Sequence, residues 1–149
     1  MSKGASLKDA SQINIANFLL DTTTVSDYLR RNKNIVRIIH GLKPSELAVS
    51  VITQYEIHYG MLKKPSLIPK YERQLEEFYR KISVLDFHSH IAIEAAQIKD
   101  ELRQAGTLIE VPDIIIGATA RFHELKVVTS NIKDFQRIRD LSIVDWKNS

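Results

Sequence analysis

Short apolar runs alternate with stretches of helical periodicity, and this alternation constrains the fold more than any other feature of the chain. Phe18-Leu19-Leu20, Leu47 to Val49, Ile82-Ser83-Val84-Leu85, Val127-Val128 and Ser142 to Val144 each have the length of a short buried strand. Helical patterns fill the intervals. Residues 24–40 place Val25, Tyr28 and Leu29 on one side, with Ile35, Ile38 and Ile39 beyond a break near Asn32. Residues 52–63, with Ser50 as N-cap, align Ile52, Tyr55, Tyr59 and Leu62 in one stripe. Pro65 and Pro69 punctuate the connection to a charged amphipathic helix over 70–80. Residues 89–105 stack Ile91, Ala95, Ile98 and Leu102 before the terminator Gly106, and 113–125 align Ile115, Ala118, Phe122 and Leu125. Strands separated by helices require crossover connections. The pattern therefore predicts an α/β fold, a three-layer α/β/α sandwich around a mostly parallel sheet of four to five strands.

A chain of 149 residues suits one domain. We expect it over residues 17–147, behind a polar leader at 1–16 that reads as disordered and has no apolar segment of the kind a secretion signal needs. No apolar run approaches the roughly 18 residues of a membrane span. The absence of cysteine excludes disulfides, thiolate nucleophiles and zinc–thiolate sites, and fits a cytoplasmic protein. A net charge of +3 is compatible with a nucleic-acid partner.

In open parallel sheets, sites form outside the carboxyl ends of the strands, so the residues there are the ones to inspect. Asp21 directly follows the first apolar strand; it could equally be a solvent-facing cap of the next helix. Asp113 opens a very apolar helix, Ile114-Ile115-Ile116-Gly117-Ala118, and an acid in the first turn also complements the helix dipole. Glu56 stands in the helix 52–63 beside the apolar stripe, although most helical glutamates are simply solvated. Asp134 follows the strand ending at Val128 as a loop residue, with Asn131 close by, and either could reach the same edge.

Other chemistries find little support. The five histidines show no metal-ligand spacing, and His88 and His90 read as a structural or surface loop pair. There is no nucleophile-elbow serine, Walker A sequence or dinucleotide fingerprint. What remains is a set of acids at strand ends. Clustered carboxylates do not stay ionised together without a cation, and oxygen-only ligands select Mg²⁺ or Mn²⁺. Such ions orient water and stabilise charge on a phosphoryl group.

With these residues in view, the chain resembles the PIN-domain ribonucleases, and within them the VapC toxins of bacterial toxin–antitoxin pairs. The match runs through Phe18 to Thr22, Ala48 to Gly60, Gly106 to Ala118, Val128 to Phe135 and Val144-Asp145-Trp146, in family order and spacing, covering about residues 17–146. The closing stretch is similar to the branch that cuts initiator tRNA in the anticodon loop. The resemblance implies a PIN-like fold in which Asp21, Glu56 and Asp113 are the core metal-site acids. Asp134 would be the fourth, with Asn131 standing where other members have an Asp. It implies supporting roles for Thr22, which could hold a substrate phosphate or a metal-bound water, and for Thr129 and Ser130, whose hydroxyls could orient the site. Thr23 departs from the family's usual Asn, and Val111-Pro112 from its usual approach to the third Asp.

The expected activity is that of an Mg²⁺-dependent endoribonuclease, with Mn²⁺ as a substitute. A metal-activated water attacks phosphorus and leaves 5′-phosphate and 3′-hydroxyl ends. Arg30, Arg31, Lys33, Arg37, Lys63 and Lys64 are candidate contacts to the RNA backbone, or else a solvated basic face. The implied partners are an RNA substrate, tRNA above others, a cognate antitoxin and a second copy of the chain. Two other readings compete. A haloacid-dehalogenase-type phosphatase needs a second Asp at position 23, where this chain has Thr. A PIN-like domain that only binds RNA or protein need not keep all three core acids.

Overall fold

The computed structural model describes residues 16–149. The expected leader thus lies outside the described residues except for Ala16, which is buried in the core. The elements are β1 (Phe18–Leu20), α1 (Thr22–Leu29), α2 (Lys33–His40), β2 (Leu47–Ser50), α3 (Val51–Lys63), α4 (Ile68–Lys81), β3 (Ser83–Leu85), α5 (Ser89–Gln104), α6 (Val111–His123), β4 (Lys126–Val128), α7 (Ile132–Phe135) and β5 (Ile143–Val144).

The sheet has five strands in the order β3-β2-β1-β4-β5, and every pairing is parallel. Period-two alternation divides it into two apolar faces. Leu19, Ala48 and Val127 join Ile91, Ile98, Ile114 and Ile116 of α5 and α6. Their neighbours Leu20, Val49 and Val128 join Val25, Ile35, Ile57 and Phe78 of α1 to α4. Helices therefore cover both sides, and the three-layer expectation holds. Gly117 allows α6 to pack closely, because a Cβ there would lie 2.5 Å from Ile138 Cδ1.

Strand order decides where the site forms. The chain leaves β1 for β2 and β3, then returns to place β4 on the other side of β1. Leu20 is level with Val128, and the Asp21 N–H donates to the Val128 carbonyl at 3.1 Å. Asp21 thus stands at the switch point of the sheet, where parallel folds open a crevice.

Several local expectations need correction. The segment 24–40 breaks at Asn32 as expected, but its first helix begins at Thr22 because Asp21 caps it. The helix expected at 113–125 spans 111–123; Pro112 fits its first turn, and Glu124 ends it in the left-handed conformation at φ 59°. Pro69 likewise sits inside the first turn of α4. Of the predicted stripe of α3, Ile52 packs against the core but the rest faces outward: Tyr55, Tyr59 and Leu62 are 63%, 53% and 67% exposed. The buried stripe is Thr53, Ile57 and Met61, an i, i+4, i+8 set that packs on the sheet. Asp134 belongs to the short helix α7 rather than to a loop.

Candidate active site

Asp21 is buried and well supplied with donors. Its Oδ1 accepts the Thr24 N–H at 2.8 Å, as an N-cap should, and the Thr23 hydroxyl donates at 3.0 and 3.1 Å to its two oxygens. The Thr24 hydroxyl ties the same turn to the Val128 carbonyl at 2.9 Å. Burial pushes the Asp21 carboxyl above its usual range, while hydrogen bonds from Thr129, Thr24 and Thr23 oppose that shift. The strand-edge reading therefore holds, and Asp21 does cap the helix, but as a buried residue and not a solvent-facing one.

Glu56 owes its place to hydroxyls rather than to an apolar stripe. The Thr22 hydroxyl lies 2.6 Å from Glu56 Oε1 and 3.2 Å from the hydroxyl of Thr53. Thr53 is fully buried one turn before Glu56. Sequence reasoning missed it, although its position three residues earlier on the same helix face was a usable signal.

Asp113 is the third residue of α6, and Asp134 the third of α7. Asp113 reports the proximity of the acids most directly: burial, then the charges of Asp21, Glu56, Asp134 and Glu110, push its carboxyl up to about 6. Asp134 accepts the Asn131 amide at 3.0 Å and faces the Arg137 guanidinium at 3.6 Å. Asn131 thus supports Asp134, and its own N–H donates to the Thr129 hydroxyl at 2.8 Å. Ser130 is exposed in the turn after β4. Among the described residues no three acids or histidines are gathered tightly enough to ligate one ion. Asp21, Glu56 and Asp134 lie within electrostatic reach of Asp113, while Glu56 rests on Thr22 and Asp134 on Asn131. In composition the oxygen-only donor set fits a hard divalent cation.

The PIN domain profile matches residues 18–141. The chain is 36% identical over 132 residues to the "tRNA(fMet)-specific endonuclease VapC" of Salmonella typhimurium, covering 87% of this chain and 97% of that protein. It is 30% identical over 129 residues to "Ribonuclease VapC2" of Haemophilus influenzae, with the same coverage. The chain belongs to the PIN-domain family, among its VapC ribonucleases. The crystal structure of DNA-bound VapBC from Salmonella typhimurium contains a similar fold, with a TM-score of 0.81 and 32% identity, over 89% of this chain and 99% of that one.

The departure from the family pattern at Thr23 is chemically coherent, since its hydroxyl still serves the first acid. The basic residues divide. Arg30 and Lys64, with Lys70, border a groove of about 440 Å³ that also exposes Thr22 and Glu56. Arg30 leans on Asp27 at 3.2 Å. Arg31 lines a different cavity. Lys33, Arg37 and Lys63 border neither; Lys63 Nζ sits 5.1 Å over the Tyr59 ring, and Arg37 donates to Asn34 at 3.4 Å. Lys70 and Arg137 were not anticipated; Arg137, three residues after Asp134, was within reach of helix counting. No helix among the described residues is long and apolar enough to cross a membrane.

Proposed function

We propose that this chain is a divalent-metal-dependent endoribonuclease, the toxin of a toxin–antitoxin pair, which hydrolyses phosphodiester bonds in RNA and takes tRNA as its substrate. The supporting observation is that Asp21, Glu56, Asp113 and Asp134, from four separate segments, sit close enough that burial, and after it the charges of the other three acids and of Glu110, push Asp113 up to about 6. That repulsion suits a site meant to receive a cation, Mg²⁺ with Mn²⁺ as a substitute. A bound cation would activate a water and neutralise charge on the phosphoryl group.

The side chains do the positioning. Thr23 and Thr24 fix the Asp21 carboxylate, Thr22 holds Glu56, and Asn131 holds Asp134. Burial at the sheet edge lowers the local dielectric and strengthens every charge interaction there. Arg30 and Lys64 border the groove that exposes Thr22 and Glu56, and would contact phosphates flanking the scissile bond.

Relatives crystallised as VapBC complexes support a cognate antitoxin as partner. We expect it to insert a segment into the acidic groove, with an arginine against the carboxylates. The exposed Tyr55, Tyr59 and Leu62 face of α3 supports self-association into a homodimer. Residues 17–147 would form the working domain, acting in the cytoplasm where tRNA resides.

Cleavage of a tRNA pool by wild type, Asp21→Asn and Asp113→Asn tests the reading. Both variants should lose activity, and unchanged cleavage by both would overturn it. A non-catalytic binding domain gains some support from the open arrangement of the acids. Such a domain would show little Mn²⁺-linked stabilisation, whereas the metalloenzyme should show it clearly.

A further inference from the structure

A second cavity, of about 550 Å³, lies between the turn joining α1 to α2 and the outer face of α4. Arg31, His40, Lys70 and Arg73 line it, and its one acid is Glu77. Glu77 is 3.9 Å from Arg73, so the cavity keeps a net positive charge. Arg31 lies close to the Tyr28 hydroxyl, whose proton affinity is raised by burial and lowered by the Arg31 charge. Tyr28 in turn is 3.1 Å from His40 Nε2. Lys70 lines this cavity and also the groove that reaches Thr22 and Glu56. One lysine thus joins the acid site to a second, cationic chamber.

The backbone of Arg31 adds an independent observation. Its φ is +64°, the left-handed region that a glycine adopts far more readily. It follows the end of α1, and its N–H donates to the Tyr28 carbonyl at 3.0 Å, a position where helices commonly place glycine. A strained arginine at a glycine position, facing a cationic cavity, suggests that the side chain is needed there.

We propose that this cavity is a second phosphate site, which holds an RNA phosphate removed from the scissile one and measures the path of the strand out of the acid groove through Lys70. The inference rests on the reading of the chain as a ribonuclease. Charge favours a polyanion over an apolar protein segment, and the shared Lys70 favours the strand that already occupies the acid groove. Arg31 and Arg73 are the anchoring residues, with His40 and Tyr28 as further polar contacts.

Binding of a tRNA pool to the full chain, without divalent cation and across a salt series, tests this. Each phosphate contact removed should lower the slope of log affinity against log salt by about one. Arg31→Gly with Arg73→Gln should lower it by about two and weaken binding by roughly tenfold or more at low salt. Arg31→Gly relieves the backbone, so the melting temperature should not fall. Arg73→Gln alone, at a side chain 92% exposed, leaves the packing intact and should account for half of the slope change. An unchanged slope in both variants would overturn the second site, including the case in which the cavity takes an acidic protein segment instead. A wild type that binds no RNA would overturn the ribonuclease reading itself.

Discussion

Asp113→Asn should make the metal-free protein more stable while removing its response to cations. The Asp113 carboxyl is pushed from 3.8 to about 6 by burial and by Asp21, Glu56, Asp134 and Glu110. Its charged form is therefore disfavoured in the fold. The penalty is absent below the unfolded value, grows as pH rises toward 6, and is complete above it. At about 1.4 kcal/mol per tenfold change, the ceiling is about 3 kcal/mol. The side chain is only partly buried, and solvent screening brings this to roughly 1–2 kcal/mol. Removing the acid from the first turn of α6 costs about 0.3–1 kcal/mol of helix-dipole interaction. Burial and repulsion together outweigh the dipole, which leaves a net gain on the order of 1 kcal/mol, or a few degrees in melting temperature. Thermal melts by circular dichroism at pH 7.5, with chelator, measure it, and the gain should vanish at pH 4. A variant less stable than wild type at pH 7.5 without cation would refute the electrostatic account of the site.

Two further outcomes follow from the same geometry. Protons compete with a cation for Asp113, so Mn²⁺-induced stabilisation should be large at pH 7.5 and shrink as pH falls through about 6; a pH-independent shift would contradict the involvement of this carboxyl. Thr22→Val removes the 2.6 Å hydrogen bond to Glu56 and the contact to Thr53. It should cost about 1 kcal/mol in denaturant melts and lower RNA cleavage, whereas an unchanged cleavage rate would show that Glu56 needs no such support.

The layered fold was legible because its signals are local. The apolar triplet Phe18–Leu20, the Ser50 cap and the stripe Ile91, Ala95, Ile98 and Leu102 each carry their own periodicity, and the structure contains all three as read. The outward turn of α3 was not legible. Two stripes compete on that helix, and Tyr55, Tyr59 and Leu62 form the bulkier one, while the smaller Thr53, Ile57 and Met61 meet the sheet. Apolarity alone cannot tell a core face from a face left for a partner. Asp21 posed a false choice, since a residue at a strand end that begins a helix is both cap and edge. The approach of both Asp21 and Asp134 to Asp113 depends on β4 lying beside β1, a consequence of strand order that no local pattern encodes. The hydroxyls that hold the acids, above all Thr53, became visible only once the helices were docked.

Electron paramagnetic resonance titration with Mn²⁺, on wild type and on Asp21→Asn, Glu56→Gln and Asp113→Asn, addresses the central claim most directly. The account predicts saturable binding by the wild type at pH 7.5, and affinity at least about tenfold weaker in each variant. Wild-type affinity retained in all three variants, or no binding by the wild type, would contradict it.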